Sequence, residues 1–343
     1  MPRAPKHAQT PDPMKRFYPF SCLLALLWLT LACGPDKDRV RFEGKLENIN
    51  NAEFYVYSED GSFDGVDTVR IEDGKFIYER KLTEPTLLTL LYPNFTQTYV
   101  VLEPGKTIKL RGDASKIGEA EVTGTEENEM LTEFRQANLT GPESNHRLAA
   151  ADFVRSHAST LAAVAVFRRY FAVQKSPDAA TALQLLDVLK KAQPQGKAVN
   201  YLNQFYRPVF ENGVGRQLPS FTAETIDGEK VSSETFRGRK LVIACLGMWQ
   251  GESQAFARQL RRKVAQAGSG CACIVVSMDV DREVLRNRLK SDSLQCPIIC
   301  DRLAFESPLA QQLGLRYVPS CMVVDAEGRI VQRDVTKVDE LKL

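Results

Sequence analysis

Lys240-Leu-Val-Ile-Ala-Cys-Leu246 is, after its lysine, an unbroken apolar run that stops at Gly247 and passes through Met248-Trp249-Gln250-Gly251-Glu252 into a helical pattern from Ser253 to Ala267. The run is short and rich in β-branched residues, so it reads as a strand buried on both faces. Cys273-Ile-Val-Val-Ser-Met278 repeats the pattern and Arg282 to Lys290 is helical again. Pro297-Ile-Ile-Cys300 is a short strand and Ser307 to Leu313 a helix. Ser320-Cys-Met-Val-Val-Asp325 and Arg329-Ile-Val-Gln-Arg333 close as a hairpin over Ala326-Glu327-Gly328. Parallel βαβ units finished by a hairpin give an α/β sheet over residues 213–343.

Upstream the period changes twice. Residues 126–212 read as a helical linker region: Asn128 to Ala137 and Ala149 to Ser156 are helical, Ser176-Pro177-Asp178 is a helix start, Leu183, Leu186 and Leu189 recur at helical spacing, and Pro194 ends the run. Residues 36–125 read as strands instead. Val40-Arg-Phe-Glu-Gly-Lys-Leu46, Glu53-Phe-Tyr-Val-Tyr57, Asp67-Thr-Val-Arg-Ile71, Lys75-Phe-Ile-Tyr-Glu79, Thr98-Tyr-Val-Val-Leu102 and Thr107-Ile-Lys-Leu110 are short and separated by turns such as Glu72-Asp73-Gly74 and Glu103-Pro104-Gly105. Several alternate polar with apolar, the pattern of an all-β antiparallel sandwich or barrel with a solvated face.

At the N-terminus Lys15 and Arg16 precede an apolar run from Phe17 to Ala32, short for a membrane span of roughly 20 residues. A basic start, a short apolar stretch and a small residue before a cut describe an export signal over residues 1–33. Leu29-Thr30-Leu31-Ala32-Cys33 resembles a bacterial lipobox, with Thr30 where that motif favours Leu. The implied product is lipidated at Cys33, held at the membrane by that anchor, and faces the periplasm or the cell surface. Met14 offers an alternative start to Met1.

The composition agrees with a folded protein of about two domains: 343 residues, 43% hydrophobic and 26% charged. A net charge of +2 argues against nucleic acid as the main partner. Three histidines, His7, His146 and His157, are too few for His-rich metal chemistry.

The C-terminal region resembles the thioredoxin-like redoxins of the alkyl hydroperoxide reductase/thiol-specific antioxidant type. The resemblance rests on Leu218-Pro219-Ser220-Phe221-Thr222 with Asp227-Gly228-Glu229-Lys230-Val231, on Phe236-Arg237-Gly238-Arg239-Lys240, on Met248-Trp249, and on Val318-Pro319-Ser320 with Val324-Asp325-Ala326-Glu327-Gly328. It implies a cis Val318–Pro319 bond facing the site, with Trp249, Val318 and Pro319 meeting client backbone. Val66-Asp67-Thr68-Val69, Asp73-Gly74-Lys75-Phe76 and Leu102-Glu103-Pro104-Gly105 resemble a β domain of unknown function that precedes thioredoxin-like domains in bacterial envelope lipoproteins.

The resemblance fails where the chemistry should be. Thioredoxin-type exchange needs Cys-x-x-Cys, whose first thiol is activated by the helix N-terminus and whose second resolves the mixed disulfide. Here Gln250 and Ser253 hold those positions, and Ala244 stands where thioredoxins have an acid. The expectation is therefore a domain that binds a client peptide, an envelope partner or a ligand. The alternative is a thiol–disulfide oxidoreductase or peroxiredoxin-like enzyme working through displaced cysteines.

Cys22 lies in the apolar run and Cys33 at its end; the other cysteines are Cys245, Cys271, Cys273, Cys296, Cys300 and Cys321, all in the C-terminal region. Cys321, Cys300 and Cys296 are the catalytic candidates, Cys321 because it follows Pro319, although a strand position there points into the core. Cys245 reads as a small buried hydrophobe. Cys271 and Cys273 share one face. Cys296 and Cys300 are too far apart along a strand for a direct disulfide unless the segment turns. Four such thiols would suit zinc, but the spacings depart from the usual ribbon pattern, and neither a metal nor a cofactor is expected.

Overall fold

The computed structural model describes residues 37–174, 178–292 and 296–343. The export signal, Cys33 and the Ser176-Pro177 helix start lie outside the described residues.

Two four-stranded sheets face one another in the first region. One holds β1 (Arg39–Glu47), β4 (Lys75–Lys81), β7 (Thr107–Asp113) and β8 (Glu121–Thr123) in the order β4-β1-β7-β8. The other holds β2 (Ala52–Tyr57), β3 (Val66–Ile71), β5 (Thr86–Leu91) and β6 (Gln97–Leu102) in the order β3-β2-β5-β6. The sandwich is not purely antiparallel: β1 runs parallel to β7, pairing Phe42 with Ile108 and Gly44 with Leu110. Alternation in β1 points Val40, Phe42 and Leu46 inward. Phe76 then meets Phe42 and Phe54 edge-on, each at 5.0 Å between ring centroids. A Cβ on Gly44 would come within 2.1 Å of the Phe76 ring, so this strand position has room only for hydrogen.

The sheet containing β5 is covered on its outer face, contrary to the expected solvated one. Leu88, Leu90, Val100 and Leu102 point into the sandwich, whereas Leu87, Tyr99 and Val101 join a separate helical core. That two-sided burial explains why Thr86–Leu91 shows no alternation and was not legible as a strand of this sheet.

The covering layer comprises α1 (Glu126–Ala137), α2 (Glu143–Ser156), α3 (Leu161–Phe167) with a π-turn (Arg168–Ala172), α4 (Ala179–Ala192), α5 (Lys197–Phe205) and α6 (Arg207–Glu211). It is a packed layer with its own core, more than a connecting segment. In α4 the buried leucines are Leu185, Leu186 and Leu189, with Leu183 only partly buried, and Asp178 caps the helix by accepting from Thr181 N–H at 3.1 Å. Helix α1 satisfies an edge of each sheet. The Asn128 amide accepts from Val101 N–H at 2.9 Å and donates to Val101 O at 2.7 Å on β6. The Thr132 hydroxyl accepts from Val122 N–H at 3.0 Å and donates to Val122 O at 2.9 Å on β8. These side chains replace a missing strand neighbour and keep buried backbone groups paired.

The C-terminal region is a mixed five-stranded sheet in the order β13-β12-β11-β14-β15. Its strands are β11 (Lys240–Leu246), β12 (Cys271–Ser277), β13 (Ile298–Ile299), β14 (Ser320–Val324) and β15 (Ile330–Val335), preceded by a small hairpin of β9 (Thr222–Glu224) and β10 (Lys230–Ser232). The first three are mutually parallel and the last two antiparallel to their neighbours. One face carries α7 (Gly251–Ala267) and α8 (Arg282–Asp292), the other α9 (Pro308–Leu313). This is the sheet read from the sequence, including the hairpin over Gly328. Arg316 Nη1 donates to Ala172 O at 2.9 Å and Arg333 Nη1 to Asn212 O at 2.9 Å, tying this region to the helical layer.

Candidate functional site

The site is built at the ends of three strands. β11 ends at Leu246, and its antiparallel register with β14 pairs Cys245 with Ser320. The loop leaving β11 therefore runs beside the loop entering β14, where Val318–Pro319 is cis as the resemblance implied. Gly247 is needed here because a Cβ would sit 2.5 Å from the Trp249 ring, which folds back over it.

Gln250 is the N-cap residue of α7, and its side chain makes no capping hydrogen bond. It stands where the helix dipole would lower the pKa of a thiol, but an amide has no proton to lose there. Ser253 is wholly buried, and Gly247 N–H donates to its hydroxyl at 3.2 Å. The side chain in the resolving position thus fastens the loop to the helix.

Asp279, which the sequence reading passed over, orders the same loop. Its carboxylate accepts from Met248 N–H at 3.0 Å and from the Ser277 hydroxyl at 2.6 Å, while Arg288 donates to Met248 O. Its only sequence signal was an acid just past the end of a buried parallel strand.

Four large apolar side chains in the segments at this end of the sheet are open to solvent, among charged neighbours such as Glu252, Asp281 and Asp301. Trp249 is 50% exposed, Tyr317 42%, Val280 65% and Leu303 51%. Each lies in a segment flanking the same sheet edge: after β11, before β14, after β12 and after β13.

The structure does not gather the three candidate cysteines. Cys321 lies within β14 opposite Ala244, buried, and burial pushes its thiol pKa up. Cys300 is buried, donates to Asp279 O at 3.1 Å, and is likewise raised by burial. That thiol is committed to a carbonyl. Cys296 is half-buried beyond the opposite end of β13 and contacts Cys273. Cys245 is buried and pushed up to about 12. Among the described residues no group of three His, Cys, Asp or Glu side chains is arranged to hold a metal ion. Also among them, no helix is long and apolar enough to cross a membrane.

A labelling result follows. At pH 8 a thiol with a pKa near 12 has a thiolate fraction roughly a thousandfold below that of a free cysteine. Cys245 and Cys321 should therefore react with Ellman's reagent only after unfolding. Site-resolved mass mapping checks this; native-state labelling of Cys321 as fast as a peptide thiol would restore it as a nucleophile.

Comparison with known proteins agrees with this architecture. Residues 40–131 match DUF4369, a domain of unknown function, and residues 214–333 match the AhpC/TSA family. The thiol-disulfide oxidoreductase ResA of Bacillus thuringiensis subsp. konkukian is 19% identical over 124 residues, covering 35% of this chain and 68% of that protein. A thiol-disulfide oxidoreductase structure from Bacteroides fragilis is 27% identical, with a TM-score of 0.33, over 35% of this chain and 90% of that one. The thioredoxin domain of a thiol-disulfide oxidoreductase from Bacteroides vulgatus is 19% identical, with a TM-score of 0.34, over 37% of this chain and 91% of that one. With its family match, its strand order and its cis-proline loop, the C-terminal part of the chain is an AhpC/TSA domain of thioredoxin-like fold, preceded by a DUF4369 domain.

Proposed function

We propose that this chain is a cell-envelope protein, anchored by lipid at Cys33, whose thioredoxin-like domain holds an extended client peptide without exchanging disulfides at the helix start. The observation that carries this reading is the exposure of Trp249, Tyr317, Val280 and Leu303 at the sheet end that bears the loop where Gln250 and Ser253 stand in place of thiols. Exposed apolar side chains concentrated at one edge mark a binding surface. The neighbouring strand ends offer backbone groups to an extended segment. Burial of Cys321 and Cys300 weighs against the enzymatic alternative.

The test is binding of carboxymethylated insulin B chain, an extended peptide without free thiols, to the full chain. Trp249 is the only tryptophan besides Trp28, so its fluorescence in a Trp28→Phe background reports occupancy. Aromatic anchors at interface centres are worth upwards of 1–2 kcal/mol, so Trp249→Ala should weaken binding by at least about tenfold, read by calorimetry. An unchanged affinity in Trp249→Ala, or no binding by the parent chain, would sink the reading.

A further inference from the structure

The sheet carries a second thiol site at the end away from Trp249 and Pro319. β12 and β13 are parallel, with Val275 opposite Ile298. The ladder continues backwards from there: Val275 N–H donates to Pro297 O at 3.0 Å. Carried back two residues on each strand, beyond the paired residues, the same register would set Cys273 opposite Cys296. Both side chains pack in the same cluster under α7. Neighbouring strands lie about 4.8 Å apart, within the roughly 4.4–6.8 Å that disulfides need between Cα atoms. Cys273 is buried on the α7 face of the sheet, and Cys296 packs half-buried against the same cluster.

We propose that Cys273 and Cys296 form a reversible disulfide by exchange with low-molecular-weight disulfides. Interaction with Cys296 and then burial push the Cys273 thiol pKa up, and Cys296 is the more open of the two, so attack begins at Cys296. The Cys296 thiolate attacks one sulfur of a small disulfide such as oxidised glutathione. A mixed disulfide forms on Cys296, and one glutathione thiolate leaves. Cys273, after losing its proton to solvent, attacks Cys296 Sγ and expels the second glutathione thiolate. One protein S–S bond forms and one glutathione S–S bond breaks. Two electrons pass from the protein sulfurs to glutathione, and the two thiol protons end on the glutathione thiols. Because Cys273 is buried and Cys296 only half-exposed, small disulfides are favoured over folded proteins.

The test uses the full chain, reduced, treated with oxidised glutathione, quenched with N-ethylmaleimide in denaturant and digested without reductant. Mass spectrometry should find a peptide linking Cys273 to Cys296, removed by dithiothreitol, in most of the protein. Cys273→Ser should retain one glutathione on Cys296, and Cys296→Ser should leave Cys273 alkylated. The proposal is overturned if the wild-type chain keeps both residues as alkylated thiols, holds glutathione on Cys296 without closing the bond, or joins Cys296 to another cysteine. The wild-type chain alone returns one of these results, so a variant that fails to fold does not spoil the test.

Discussion

Insulin reduction by the double variant Gln250→Cys, Ser253→Cys is expected to rise at least about tenfold above the unmodified chain. The proposed site sits at a helix start beside a proline loop. Gln250 caps a 17-residue helix, α7, and the cis Val318–Pro319 loop lies alongside. A thiol at that helix start lowered from about 8.5 to about 7 goes from roughly 3% to half thiolate at pH 7. Position 253 is buried, so its thiol is protected until a mixed disulfide forms one turn away. The singles separate the roles. Gln250→Cys alone should accumulate a mixed disulfide without turnover, and Ser253→Cys alone should stay inert. The double variant should also lose about 1 kcal/mol of stability, because a thiol is a weaker acceptor for Gly247 N–H than the serine hydroxyl. If it folds and still reduces insulin at the background rate, the helix start is not aligned with an incoming client, and the client-binding reading falls with it.

The second large effect concerns the joint between the DUF4369 sandwich and the helical layer. Arg168, 4% exposed in the π-turn after α3, forms an ion pair with Glu59 from the loop after β2. It also reaches Thr89 Oγ1 at 3.4 Å and stacks on the Tyr99 ring at 4.8 Å. Removing one member of a buried pair strands the other charge and costs about 3–5 kcal/mol, whereas surface pairs are worth about 0–1 kcal/mol. Glu59→Ala should therefore cost about 3–5 kcal/mol in urea unfolding. Arg168→Met should cost less, because Glu59 keeps some access to water and the methionine still fills the space beside Tyr99. A loss under about 1 kcal/mol for Glu59→Ala would show that the two layers do not depend on this pair.

Several elements were legible because their signals are local. β11 and β12 are continuous apolar runs, and the hairpin at Gly328 is marked by its own turn residues. β5 was missed because both of its faces are buried by partners distant in sequence, so its side chains show no period. The parallel pairing of β1 with β7 was missed for a related reason: alternation says which face is apolar and nothing about which strand lies alongside. Asp279 was overlooked because an acid at a strand end becomes informative only once Met248 is seen to donate to it.

The cysteines divide in the same way. That positions 250 and 253 carry no thiol is written in the covalent chain and needs no structure to read. Sequence spacing put Cys271 and Cys273 on one face and set Cys296 and Cys300 too far apart along a strand for a direct disulfide unless the segment turns, and it chose no pairing. The fold brings Cys296 to Cys273 and turns Cys300 toward the Asp279 carbonyl. Local composition determined most of the strands, the proline loop and the missing thiols, because each depends on a few adjacent residues. Which thiols meet, which sheet face is covered and which charges are buried were decided only by the tertiary structure, because strand register and layer packing join residues that the sequence keeps apart.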